Sequence, residues 1–279
     1  MRFASFVHRG KQCWGAIFAE EAAALDAHWP SLRSAIGNDA LARAAQLGGT
    51  VARIPLGEID WLPPIPQPGK ILCVGLNYED HRRETGRAMS GHPTIFTRFA
   101  DSQTAHEAPM LLPTISDMLD YEAELAIVIG RGGRFIPAAD ALGHVAGFSC
   151  YNDGSVRDWQ RHTSQFTPGK NFPGTGSFGP WLVTPDEFGP IGEQNLICRL
   201  NGEIMQQAKL DQMIFPVEDL IAYCSTFTPL SPGDVIVTGT PGGVGAARKP
   251  PLFMKEGDRV EVEIEGIGRL RNRVMRARD

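Results

Sequence analysis

The sequence predicts a β-rich α+β fold, a barrel or sandwich with helices outside it, preceded by a small N-terminal domain. Three observations carry this. From Lys70 onward, short apolar runs alternate with Gly and Pro, the texture of short strands joined by turns. One run, Val260-Glu261-Val262-Glu263-Ile264, alternates strictly, as a half-buried strand does. Helical segments are few, and Val217 to Phe227 is the best formed of them.

Taken in order, Met1 to Phe6 and Cys13 to Phe18 read as a hairpin around Arg9-Gly10-Lys11. The alanine-rich stretch from Glu20 to Leu47 has helical character. Pro55, Pro63, Pro64, Pro66 and Pro68 then mark a linker, so residues 1–66 form the small domain and 67–279 the main one. The main domain offers strands at Ile71–Val74, Leu125–Ile129, His144–Tyr151, Ile197–Leu200, Val235–Thr238 and Val260–Ile264.

Bulk composition narrows the function. Of 279 residues, 42% are hydrophobic and 21% charged, which is ordinary for a globular protein and argues against a disordered or fibrous chain. A net charge of −5 repels phosphate backbones, and no basic block interrupts it, so nucleic acid is not an expected partner. Five widely spaced cysteines without a C-x-x-C pair argue against a disulfide framework or a zinc knuckle. His8, Arg9 and Lys11 interrupt any signal-peptide core, and no apolar stretch approaches the roughly 20 residues of a membrane helix. The expectation is a cytoplasmic protein with no membrane partner.

The sharpest chemical feature is Asp120-Tyr121-Glu122-Ala123-Glu124, leading into an apolar run. On a strand, Glu122 and Glu124 share a face that continues as Ala126 and Val128. Two buried carboxylates side by side repel unless a cation neutralises them; the competing reading is a solvated pair at a sheet rim. Asp153, just past the end of another apolar run, supplies a third acid. Three carboxylates without a His or Cys cluster select a hard cation, Mg²⁺ or Mn²⁺, and leave coordination positions for a chelating substrate. In Asn77 to Gly86, Asn77 can cap a short helix with Asp80 three residues on, and Gly86 can end it. His81 and Glu84 are then neighbours, the arrangement of an oriented general base or of a surface pair. Lys170, in a Gly/Pro-rich loop, can meet a substrate carboxylate or oxyanion, or lie in solvent. Gly174-Thr175-Gly176-Ser177-Phe178-Gly179 fits a dinucleotide pattern, but Pro180-Trp181 follows instead of a helix, and the motif is rejected.

These motifs together resemble the fumarylacetoacetate hydrolase family. The ordered signatures are Gly75-Leu76-Asn77-Tyr78 with Asp80-His81, Glu122-Ala123-Glu124-Leu125, Asp153 to Gln160, Gly169-Lys170-Asn171-Phe172 and Thr238-Gly239-Thr240-Pro241, spread from about Lys70 to Val274. The resemblance implies a mixed β-sandwich roll with flanking helices, paired as a homodimer. It implies Mg²⁺ or Mn²⁺ at Glu122, Glu124 and Asp153, a His81–Glu84 dyad on a lid helix, and a catalytic Lys170. Arg157, Gln160 and Thr240 match site-lining positions. Arg98 stands where the family often has Lys, and is expected to contact a substrate carboxylate. The implied reaction is C–C hydrolysis of a 2,4-dioxo acid of acylpyruvate or fumarylpyruvate type. Oxaloacetate-type decarboxylation and enol–keto isomerisation are the alternatives.

Overall fold

The computed structural model describes residues 1–278. The N-terminal part comprises β1 (Arg2–His8), β2 (Lys11–Phe18), β3 (Glu21–Ala24), α1 (Leu32–Gly37), α2 (Leu41–Gly48), β4 (Arg53–Pro55) and β5 (Asp60–Trp61). After the prolines come β6 (Ile71–Gly75), α3 (Glu79–Glu84), β7 (Thr94–Arg98), β8 (Gln103–Ala105), β9 (Met110–Leu112), β10 (Leu119–Asp120) and β11 (Ala123–Ile129). The middle holds β12 (Val145–Asp153), β13 (Ser155–Val156), α4 (Arg157–Gln160), α5 (Thr167–Lys170), β14 (Gly176–Val183) and α6 (Pro185–Phe188). The chain ends with β15 (Asn195–Leu200), β16 (Glu203–Lys209), α7 (Val217–Phe227), β17 (Val235–Val237), β18 (Arg259–Ile264) and β19 (Gly268–Arg276).

Among the described residues, two large open sheets and a two-stranded ribbon, β10-β13, result, so the barrel alternative is set aside and the sandwich stands. The larger sheet runs β4-β3-β2-β1-β14-β12-β11-β17-β6-β7, with β5 on β1 and β8 on β14. The smaller runs β16-β15-β18-β19-β9. Strand alternation decides what each face does. Leu125, Ile127 and Ile129 of β11 pack with Cys198, Val262, Leu270 and Val274 between the sheets. Ala126 and Val128 face the other way, into a second core shared with Phe3, Trp14, Leu32 and Ile36 of the N-terminal part. Because β1 pairs with β14, residues 1–66 extend the large sheet.

Every strand expected from the main domain forms within a residue or two, and α7 spans the residues that its pattern indicated. Two expectations are corrected. The helical reading of Glu20–Leu47 fails at Glu21–Ala24, which pair with β2 instead. Gly15 has no side chain to obstruct that pairing, and the ladder overrides the high helix propensity of alanine, as tertiary context commonly does. Helix α1 begins properly, at Ser31, whose hydroxyl accepts from Ser34 N. Asn77 does not cap α3; Tyr78 holds that position. The Asn77 amide is fully buried, donating to Phe215 O and Thr238 O and accepting from Phe215 N, which ties three segments under the site.

Candidate metal centre and active site

Strand pairing assembles the acidic cluster. Glu122 precedes β11 and Glu124 lies on it, both on the face opposite the inter-sheet core. Strand β12 runs antiparallel beside β11, with Ala123 opposite Asn152. Asp153 N donates to Glu122 O (2.9 Å), which sets the third carboxylate next to the first. Ligand oxygens of Glu122, Glu124 and Asp153 lie within 4.8 Å of one another, and all three residues are buried.

The charges around this cluster are unevenly paired. Lys170 Nζ, itself 1% exposed, donates to Glu122 Oε2 and Asp153 Oδ2, each at 2.5 Å. Arg157 Nη2 sits 2.7 Å from Glu122 Oε1 as an ion pair that is not aligned as a hydrogen bond. Burial pushes the Glu122 carboxyl upward, but the charges of Arg157, Lys170 and His81 outweigh it and hold the group well below the usual carboxylate range. Glu124 has no such partner: among the described residues it accepts from Gly239 N and pairs with no Lys or Arg. Burial, then Asp153 and Glu122, push it well above the ordinary value. Gly239 can approach so closely because its φ is +101° and a Cβ there would meet Asn77 Cβ at 2.7 Å. A buried, crowded, all-oxygen donor set with one uncompensated carboxylate fits a hard divalent cation.

His81 and Glu84 stand together on α3. His81 Nδ1 is 2.7 Å from Glu84 Oε1, and Glu84 Oε2 accepts from Gly243 N (2.8 Å). Glu84 is thus anchored from both sides. A carboxylate facing Nδ1 assigns the proton to that nitrogen and leaves Nε2 as the basic one. His81, Glu84, Glu122, Glu124, Arg157 and Lys170 all line one cavity of about 320 Å³. Gln160 and Thr240 line it too; Gln160 Oε1 accepts from Arg157 Nη1, and Thr240 Oγ1 donates to Ala123 O.

Arg98 is the correction. It does not line the cavity and does not await a substrate carboxylate. Its guanidinium is buried behind Asp153, donating to Asp153 Oδ1 (2.6 Å), Gly154 O, Thr175 Oγ1 and Ser102 Oγ. Arg98 and Lys170 therefore hold the two oxygens of Asp153 between them. Lys170 is not a solvated loop lysine either; α5 carries it into the cluster. The sequence reading passed over Asp120, although it quoted the residue. Asp120 is fully buried, accepts from Gly245 N, Ala246 N and Arg157 Nε, and so links the 239–247 loop to Arg157. Its place two residues before Glu122 was the available signal. Leu76 was also missed: it lines the cavity with φ +60°, a conformation that non-glycine residues seldom adopt.

Residues 70–275 match the family model for the fumarylacetoacetate (FAA) hydrolase C-terminal domain. Over 224 residues the chain is 45% identical to the oxaloacetate tautomerase FAHD2A, mitochondrial, of Bos taurus, covering 80% of this chain and 71% of that one. The fold is similar to fumarylacetoacetate hydrolase from Exiguobacterium antarcticum, at 34% identity and a TM-score of 0.89 over 99% and 100% of the two chains. It is also similar to maleylpyruvate hydrolase from Sphingobium sp. SYK-6 in complex with manganese(II) and pyruvate. There the identity is 26% and the TM-score 0.83, with full coverage of both chains.

Proposed function

The chain belongs to the fumarylacetoacetate hydrolase family, and from that premise we propose that it is a Mg²⁺- or Mn²⁺-dependent enzyme that interconverts the enol and keto forms of a small 2-oxo acid. The observation that carries this is the Glu84-anchored His81 lining the same cavity as Glu122 and Glu124, which crowd against buried Asp153 in a carboxylate cluster with one member lacking a cationic partner. Glu122, Glu124 and Asp153 would hold the metal, which supplies a Lewis acid toward the carboxylate and oxo group of the substrate. His81 Nε2 takes the proton from C3 of the keto form. Glu84 stabilises the imidazolium so formed through Nδ1. The C3–H bond is exchanged for an O–H bond, and no other atom is gained or lost. Lys170, whose ammonium is held charged by Asp153 and Glu122 against the cost of burial, faces the negative charge that develops on the 2-oxo oxygen. The Arg157 guanidinium, clamped by Asp120, orients Gln160 at the wall.

The 45% identity to a protein named an oxaloacetate tautomerase supports this order of preference over the C–C hydrolysis expected from the sequence. The hydrolytic reading keeps support from the likeness to maleylpyruvate hydrolase. In it, His81 takes its proton from water, the water attacks C4, and the C3–C4 bond breaks to give pyruvate and a carboxylic acid. A panel of oxaloacetate and an acylpyruvate with Mn²⁺ separates the readings. Loss of the enol absorbance without pyruvate or CO₂ supports tautomerisation; stoichiometric pyruvate with a carboxylic acid supports hydrolysis; CO₂ indicates decarboxylation. No turnover of either acid would sink the proposal. Five buried, free cysteines fit a reducing compartment, and no described helix is long and apolar enough to cross a membrane. We carry the homodimer as part of the same reading, to be tested by light scattering.

A further inference from the structure

We propose that Gln206, on the edge strand of the smaller sheet, is a positioning residue for the metal centre, holding the main chain between Glu122 and Glu124 in the place that a shared cation needs; this rests on the divalent-metal reading above. Along a strand, backbone N–H and C=O groups point alternately to the two neighbouring strands. On the β12 side, Glu122 O accepts from Asp153 N. The groups of Ala123 and Leu125 point the other way, toward β17. That strand meets β11 only from Ala126 to Val128, and the chain then turns off into residues 238–247. Leu125 O is still reached by Thr238 N (3.0 Å). Ala123, fully buried between the two glutamates, lies beyond the last pairing and has no strand on that side. A buried N–H or C=O left there without a partner would cost as much as a lost hydrogen bond.

Two side chains take the place of the missing strand. Gln206 Oε1 accepts from Ala123 N (3.0 Å), and Thr240 Oγ1 donates to Ala123 O (3.0 Å). The two are joined, because Gln206 Nε2 donates to Thr240 Oγ1 and Pro241 O, each at 2.8 Å. The partners fix which amide atom is which, since Ala123 N–H can only donate and Pro241 O can only accept. Every polar atom of a side chain 1% exposed is therefore spent on the ligand strand and on the loop after β17. The same loop gives Gly239 N to Glu124 Oε2. Strand β16 is shaped to this end. Gln206 is its one buried residue. The register slips between Cys198 and Arg199, leaving Met205 as an extra residue, a bulge of the kind that re-aims a side chain. Gly243, at φ +102°, lets the loop lie against Met205 O, which a Cβ would meet at 2.3 Å. Gln206 does not line the cavity, so it acts only through the backbone that it holds.

Titration of Gln206→Met with Mn²⁺, read by the electron paramagnetic resonance of the free ion, tests this. Methionine keeps the side chain's length and removes all of its hydrogen bonds. Residues that orient metal ligands from outside are commonly worth about 10–100-fold in affinity, and Mn²⁺ should bind more weakly by that factor. Asn272→Ala is the control. Asn272 is also buried and donates to Ala105 O and Ala108 O, neither of which lines the cavity. Its loss should lower the melting temperature and leave the Mn²⁺ affinity unchanged. Unchanged affinity in Gln206→Met, or an equal loss in both variants, overturns the positioning role and leaves the metal reading standing. Should Gln206→Met not fold, Thr240→Val breaks the same link at the hydroxyl with Gln206 in place, and unchanged affinity there overturns the role equally. A wild type that binds no Mn²⁺ overturns both.

Discussion

Replacing Glu124 by Gln removes one negative charge from the cluster and keeps the side chain's shape. The amide oxygen can still accept from Gly239 N. The donor oxygens lie within 4.8 Å of one another. At an effective dielectric of about 20, two like charges at that distance repel by about 3 kcal/mol, and Glu124 has two such neighbours. Attraction to Lys170, and proton uptake by Glu124 itself, which burial and its acidic neighbours favour, offset part of this. The metal-free variant should therefore be at least as stable as metal-free wild type, and more stable by up to about 3 kcal/mol. Metal reverses the order. A cation at a hundred times its dissociation constant stabilises the wild type by about 2.7 kcal/mol. At about 2–3 °C per kcal/mol for a chain of this size, the wild-type melting temperature should rise by about 5–8 °C with Mn²⁺. The variant should not respond. Scanning calorimetry with chelator and then with excess Mn²⁺ gives both comparisons. A metal-free variant destabilised by more than about 1 kcal/mol, or one that keeps the Mn²⁺ response, refutes the argument that uncompensated carboxylate charge makes this a cation site.

Further outcomes follow from other residues. His81→Asn should lower proton exchange at C3 of a bound 2-oxo acid by about 10²–10⁴-fold, read by NMR in D₂O, while the Mn²⁺ affinity changes little. Arg98→Met strips a fully buried Asp153 of one partner and should cost about 3–5 kcal/mol in urea unfolding; Arg98→Lys should recover part of that, keeping the charge but losing the fork that also reaches Ser102 and Thr175. His106 is held neutral, down to about 4, chiefly by burial, with Glu107 raising it and Arg271 lowering it further. Its folded value lies below its unfolded one, so its contribution to stability is full above about pH 6.5 and is lost as pH falls toward 4, by about 3 kcal/mol. His106→Gln should flatten that part of the stability profile, and an unchanged slope would show that His106 is not the group responsible.

Alternation and apolar runs were enough to locate β6, β11, β12, β15, β17 and β18 and the helix at Val217–Phe227, because burial of one or both faces writes itself into residue order. The same rule was present but unread in β19, where Leu270, Asn272 and Val274 alternate with outward arginines that hid the pattern. Glu122, Glu124 and Asp153 were legible as candidate ligands, but His81–Glu84 and Lys170 were equally readable as surface residues until the family resemblance joined them; the structure brings the acids, the pair and the lysine into buried contact. What the chain order could not supply was distance. Arg98 looks as available to a ligand as Arg161 does, yet β7 turns it behind Asp153 and α4 leaves Arg161 at the cavity wall. Asn77 looks like a helix cap, yet it is spent on joining Phe215 and Thr238, more than 130 residues away. Local spacing determines which side chains share a face; only the register between distant strands decides which charges meet, and it is those meetings that separate a ligand-facing arginine from one that holds a carboxylate in place.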